Sequence, residues 1–172
     1  LCPRPDTETV VNVALDLIPE DKEFFLADIG CGSGCIGLSL ALARPKSKLF
    51  AVDISAEAIA CTKQNVQRFS LEKRVAVLKG PFLSAIPTNR PIDVLVSNPP
   101  YIRSDTIQTL SPEVNQEPRL AFDGGVDGLE VFRNIFNEAN EFLVNGGELM
   151  VEHGYDQRND LMELLEAYPY FG

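Results

Sequence analysis

Asp28-Ile29-Gly30-Cys31-Gly32-Ser33-Gly34 is the stretch on which the fold turns. Phe24 to Ile29 reads as a buried strand, the glycines turn the chain, and an apolar helical pattern follows from about Gly34 to Arg44. A glycine turn between a strand and a helix brings backbone amides close to a ligand at the helix N-terminus. In an α/β sheet that point lies in the crevice at the carboxyl ends of the strands.

Outward from this turn, helical and strand patterns alternate to both ends of the chain. Asp6 caps a helix with Val10, Val11, Ala14, Leu15 and Ile18 on its apolar face, and Pro19 lies just past its end. Leu49 to Val52 is a second strand ending at Asp53, and Ser55 caps a helix that reaches about Phe69. Arg74 to Leu78 and Ile92 to Ser97 are further strands. The second of these stops at Asn98-Pro99-Pro100-Tyr101, because consecutive prolines cannot continue a central strand. Asp127 starts a helix carrying Val131, Ile135, Ala139 and Phe142, and Gly146-Gly147 ends it. Glu148 to Glu152 is a fifth strand, and a last helix runs from Asp156 to Tyr168. The alternation predicts an α/β, Rossmann-like fold with a central, mostly parallel sheet and helices on both faces. The irregular stretch from Ile102 to Gly125 is long for a connection inside one domain, which marks a functional loop.

With 172 residues, the chain has the length of one domain, residues 1–172. A net charge of −10, with no basic stripe, argues against a grip on a phosphate backbone. The longest apolar stretch, around Cys35 to Ala43, is far below the ~18 residues of a membrane span. Four cysteines without a secretory leader do not read as a disulfide framework, so a reducing cytoplasm is the expected compartment. A monomer with no membrane partner is also expected. The chain opens at Leu1-Cys2-Pro3 without an initiator methionine, and an upstream segment is expected to be missing.

Asp53 lies 19 residues beyond Gly34, where a carboxylate can accept both hydroxyls of an adenosine ribose. Gly32-Ser33-Gly34-Cys35-Ile36-Gly37 also satisfies the dinucleotide pattern G-x-G-x-x-G. The acid at Asp28 would repel a pyrophosphate and suits an ammonium group, such as the methionine part of S-adenosylmethionine. The sulfonium cofactor is therefore favoured over a nicotinamide one.

Asn98-Pro99-Pro100-Tyr101 leaves a strand end that points into the same crevice. Proline aims its neighbouring carbonyls rigidly, Asn98 adds a side-chain acceptor, and Tyr101 offers an aromatic face. Two acceptors and a flat face suit a planar NH2 group whose lone pair is delocalised. A turn that merely closes a strand is the competing explanation. The lone histidine, His153, has no partner pattern and reads as structural. Cys31 and Cys35 fall short of a zinc set, so no metal is expected. Arg4, Asp6 and Glu8 can be ordinary helix-start charges.

The residues Pro3-Arg4-Pro5-Asp6-Thr7-Glu8, Asp28 to Gly34, Asn98 to Tyr101, Glu117-Pro118, Asp123-Gly124-Gly125, Asp127-Gly128 and Glu152-His153-Gly154 with Gln157 resemble, in order, the release factor glutamine methyltransferases, the HemK-like family. The resemblance spans nearly the whole chain. It implies a class I methyltransferase fold and methyl transfer from S-adenosylmethionine, leaving S-adenosylhomocysteine. The acceptor it implies is the glutamine amide of the Gly-Gly-Gln motif of class 1 peptide-chain release factors.

By the same resemblance Asp28, Gly30, Cys31, Gly32, Ser33, Gly34, Asp53, Phe82 and Asn98 bind the cofactor. Asn98, Pro99 and Tyr101 carry catalysis, and Asn98, Pro99, Pro100, Tyr101 and Glu117 hold the glutamine. Where the family often has an acid near the adenine, this chain has Gly80-Pro81-Phe82, which puts a contact at Pro81 in question and leaves Phe82 to stack. The family's helical N-terminal domain and closing hairpin have no counterpart in the sequence, so a catalytic-domain fragment is expected. A glutamine of a ribosomal protein and the amino group of a nucleic-acid adenine are the alternative acceptors. A cofactor-binding module without activity is the third class.

Overall fold

The computed structural model describes residues 5–109 and 118–171. Within them the order is α1 (Pro5–Leu17), β1 (Phe25–Ile29), α2 (Cys35–Ala43), β2 (Lys48–Asp53), α3 (Ala56–Arg68), β3 (Val75–Lys79), β4 (Ile92–Ser97), α4 (Glu130–Phe142), β5 (Leu143–Val151) and α5 (Arg158–Leu165). The strands form one sheet in the order β3-β2-β1-β4-β5, with every pairing parallel. The chain lays β2 and β3 to one side of β1 and then crosses back to place β4 on the other. The order therefore reverses between β1 and β4, the point at which open α/β sheets bind ligands.

The central strands are apolar because both of their faces are covered. Leu26, Ala27, Leu95 and Val96 are fully buried, and Asp28 is buried with them. α1 packs against α2, and Ala14 and Ile18 join Leu38, Leu40 and Leu49 in the core. Arg44, just past α2, closes the end of α1: its guanidinium donates to Leu15 O at 2.6 Å and to Ile18 O at 2.9 Å. Those carbonyls would otherwise lack partners, and a cation suits a helix C-terminus.

The chain divides into two compact units. The first runs to Asn98 and takes in Glu141–Glu152, so it holds the whole sheet with α1 to α3. The second comprises Pro99–Asn140 and the chain from His153 onward. It carries most of α4 and all of α5. Inside it Phe136 contacts the rings of Phe132, Tyr168 and Phe171, and Asp127 is paired with Arg133.

Several element boundaries differ from the sequence reading, among them the start of α4, which lies at Glu130 and not at Asp127. α1 already begins at Pro5, so Asp6 lies in its first turn and not at the cap, and proline is well suited to that first position. Gly146-Gly147 does not end a helix: α4 stops at Phe142, and the glycines lie inside β5. The register there jumps from Ile92 opposite Leu143 to Val94 opposite Glu148, and Gly146 takes φ +78° in this bulge. α5 runs only over Arg158–Leu165, shorter than the Asp156 to Tyr168 pattern, and Tyr168 beyond its end packs its ring on Phe136.

Candidate active site

Four connections of the first unit leave the same carboxyl edge of the sheet. β1 gives way to the glycine turn, β2 ends on Asp53, β3 runs into Gly80-Pro81-Phe82, and β4 ends at Ser97 before Asn98. Ile29 and Ser97 are register partners, so the glycine turn and Asn98 depart from adjacent strands. Gly80 N donates to Asp53 O at 3.0 Å, which aligns the exits of β2 and β3.

The glycine turn is built by its backbone. Gly30, Gly32 and Gly34 take φ values of +71°, +58° and +80°, a region that side chains disfavour. The Gly30 and Cys31 amides both donate to Val52 O, at 2.9 and 3.0 Å. A Cβ on Gly30 would meet nothing within 4 Å, so open space adjoins its α-carbon. A Cβ on Gly34 would meet Leu38 Cδ1 at 2.9 Å and Thr62 Cγ2 at 3.0 Å.

Asp53 ties this turn to the start of α3. Its Oδ2 accepts from Gly32 N and its Oδ1 from Ser55 N, both at 2.8 Å. Each carboxylate oxygen has a second lone-pair site, so the group can still accept hydroxyl donors such as those of a ribose.

Asp28 has a different environment. It is buried, and its Oδ2 accepts from Gly37 N at 2.8 Å. Gly37 is the third residue of α2, whose cap residue Gly34 has no side chain with which to satisfy that amide. Asp28 therefore caps α2 from the neighbouring strand. Burial pushes its carboxyl up to about 7; the Gly37 hydrogen bond acts against this and the Asp53 charge adds to it. Cys31 is also buried, and burial followed by the Asp28 charge raises its thiol well above the ordinary range. Such a sulfur stays a thiol and is no nucleophile.

The sequence reading placed α3 but missed its part in the site. Thr62 Oγ1 donates to Gly32 O and Asn65 Nδ2 to Ser33 O, both at 2.9 Å. These two side chains, three residues apart and so on one helix face, hold the carbonyls of the turn. A signal was available: Thr62 is a polar residue on the face that buries Ala58, Ile59 and Val66.

Phe82 is half-buried with φ +43° and ψ −153°, a backbone conformation that side chains rarely adopt. It follows β3 on the edge that carries Asp53. Asn98, the last residue of the first unit, is half-buried, and among the described residues no hydrogen bond reaches its side-chain amide.

In the second unit Pro99 is buried, and Pro100 and Tyr101 are half-buried. Ile102 N donates to Phe122 O and Gly124 N to Ile102 O, each at 2.8 Å, around the bridge between Ile102 and Asp123. Asp123 accepts from Ser104 Oγ at 2.6 Å and from Arg119 Nε at 2.7 Å; those two contacts, in that order, lower its pKa. His153 is exposed, and its Nδ1 lies 2.7 Å from Gly154 O. Arg4 and Glu117 lie outside the described residues. Among the described residues no group of three or more His, Cys, Asp or Glu side chains is arranged to hold a metal ion, and no helix is long and apolar enough to cross a membrane.

Comparison with known proteins agrees with this architecture. The chain is 42% identical over 168 residues to the release factor glutamine methyltransferase of Caulobacter vibrioides, covering 97% of this chain and 58% of that protein. It is 40% identical over 167 residues to the protein of the same name from Moorella thermoacetica, covering 97% and 59%. The chain thus spans about three fifths of the length of these curated relatives.

Among solved structures, the hMettl16 catalytic domain in complex with MAT2A 3'UTR hairpin 6 superposes with a TM-score of 0.76 at 20% identity, covering 97% of this chain and 63% of that one. The ribosomal protein L11 methylase from Lactobacillus delbrueckii subsp. bulgaricus gives 0.67 at 17%, covering 97% and 70%. At such identities the likeness establishes the fold, that of class I S-adenosylmethionine-dependent methyltransferases. The family model described as the methyltransferase small domain matches residues 8–115. With more than half of its length accounted for by that model, the chain belongs to the family of the methyltransferase small domain.

Proposed function

We propose that this chain is the catalytic domain of an S-adenosylmethionine-dependent methyltransferase whose acceptor is the side-chain amide nitrogen of the glutamine in the Gly-Gly-Gln motif of class 1 peptide-chain release factors. The observation that carries the reading is that Asn98, the first residue of Asn98-Pro99-Pro100-Tyr101, follows the end of β4, the strand adjacent to the one from which the glycine turn leaves. The names of the relatives, matched over nearly all of this chain, support the same acceptor.

The residues of the first unit fit the cofactor. The open space at Gly30 admits a ligand against the backbone, Asp53 retains acceptor capacity for ribose hydroxyls, and Phe82 offers a ring for adenine. When bound, the cofactor supplies an electrophilic methyl group on a sulfonium centre.

Asn98 Oδ1 and the Pro99 carbonyl accept the two N–H bonds of the glutamine amide, and Tyr101 packs on its plane. Those acceptors would orient the nitrogen for attack and stabilise the positive charge it gains. The amide nitrogen held by Asn98 and Pro99 would accept the methyl group that the cofactor supplies, leaving the cofactor as its neutral thioether, and would release one proton to water. No side chain need act as a base first.

A nucleic-acid adenine presents a similar NH2 group. The net charge of −10 disfavours that acceptor, since binding a phosphate backbone draws on Lys and Arg. The deciding experiment incubates the full-length protein and S-adenosylmethionine with a release factor, a ribosomal-protein fraction or an adenine-containing oligonucleotide, followed by mass spectrometry. One added methyl group on the Gly-Gly-Gln peptide is expected. Methylation of only one of the other two acceptors would overturn the assignment.

A further inference from the structure

Gln157 is buried at 7% exposure, and all its side-chain hydrogen bonds go to backbone within the second unit. Its Nε2 donates to Tyr101 O at 3.0 Å and to Gly128 O at 3.2 Å, and its Oε1 accepts from Gly154 N at 2.9 Å. Both N–H donors and the carbonyl of the amide are thus engaged. Gln157 stands at the N-cap of α5, yet its side chain makes no cap hydrogen bond there. It serves the 99–101 segment instead of its own helix.

Two glycines complete the arrangement. A Cβ on Gly124 would lie 2.7 Å from Tyr101 Cα and 2.9 Å from both Pro100 O and Gly128 O. A Cβ on Gly128 would lie 2.5 Å from Tyr101 O and 2.7 Å from Gln157 Nε2. The backbone at Pro100 and Tyr101 is therefore packed directly against glycine and held by one buried amide. Tightly packed backbone has few alternative positions.

We propose that Gln157 is a positioning residue for methyl transfer, fixing the Tyr101 backbone and through it the Pro99 carbonyl and Tyr101 ring that receive the acceptor amide. This rests on the function proposed above. A displacement of about 1 Å in such a constellation can cost on the order of 100-fold in rate, and the cofactor residues of the first unit make none of these contacts.

The test is Gln157→Met in the full-length protein, a change that keeps length and burial and removes every donor and acceptor. A fall in kcat of ~10- to 100-fold is expected, with the KM for S-adenosylmethionine changed by less than about threefold. Amide hydrogen exchange at Ile102 and Gly124 should accelerate while that of Leu95 in β4 stays unchanged. Gln157→Glu, which keeps shape and loses the donors when ionised, replaces the Met variant if that one does not fold. Unchanged exchange at Ile102 and Gly124, or faster exchange with wild-type kcat, overturns the proposal. If the wild-type protein methylates no release factor, the substrate reading fails by itself, and exchange alone then decides whether Gln157 holds this backbone.

Discussion

Ser97, the last residue of β4, donates its Oγ to the carbonyl of Ile29, the last residue of β1, at 2.6 Å. The bond closes the sheet at the point where the strand order reverses, between the glycine turn and Asn98. Both residues are buried, so no water replaces a lost donor.

Ser97→Ala should therefore cost about 1 to 3 kcal/mol, the range for leaving a buried acceptor unsatisfied. Urea unfolding measures it. A change below about 0.5 kcal/mol, the range of an ordinary surface substitution, would mean that the bond contributes nothing.

Asp28 gives the protein a pH dependence of definite sign. Its carboxyl is raised to about 7 by burial, against an ordinary 3.8, so between those values the folded state binds more protons than the unfolded one. Its contribution to stability is greatest below the unfolded value, declines as pH rises towards 7, and then levels off. Asp28→Asn keeps an acceptor for Gly37 N and removes the charge. Relative to wild type, the variant should gain stability progressively from about pH 4 to 7, up to a ceiling of roughly 4 kcal/mol. Unfolding free energies across that range provide the check, and a flat difference would show that Asp28 stays ionised throughout.

Thr62 and Asn65 act on the glycine turn, the proposed cofactor site, without lying in it. Thr62→Val preserves shape and removes the donor to Gly32 O. We expect S-adenosylmethionine to bind roughly 5- to 10-fold more weakly, about one hydrogen bond, with Thr62→Ser retaining most of the affinity. Calorimetric titration decides it. Equal affinity in the Val variant would place the turn under other control.

Asn98→Ala should lower kcat on the order of 100-fold while changing cofactor affinity much less, a loss comparable to removing one preorganised donor from an oxyanion hole. His153→Ala should leave the chemistry nearly intact, because the imidazole is exposed and its Nδ1 is next to the local carbonyl of Gly154. An active Asn98 variant beside a folded, inactive His153 variant would assign the work to a general base.

Much of the architecture was legible because it is local. The apolar run before Asp28, the glycines after it, Ser55 ahead of α3 and the prolines after Asn98 each act on their own stretch of backbone, and β4 matches its expected bounds residue for residue. The Gly146-Gly147 pair misled for the same reason. Glycine permits a left-handed turn in any setting, and only pairing with β4 distinguishes a bulge within a strand from the end of a helix.

Most of the elements and their apolar faces were determined by the sequence itself, through steric preferences and hydrophobic periodicity that act within a few residues. Tertiary structure alone decided that Asp28 caps α2 at Gly37, that Thr62 and Asn65 hold the carbonyls of the glycine turn, that Ser97 closes on Ile29, and that Gln157 reaches Tyr101. These are hydrogen bonds between groups 9 to 68 residues apart. Any polar side chain can make such a bond with any exposed backbone group, so a sequence pattern does not select the partner. Burial does, because packing within each unit removes water and leaves these groups only their immediate neighbours with which to pair.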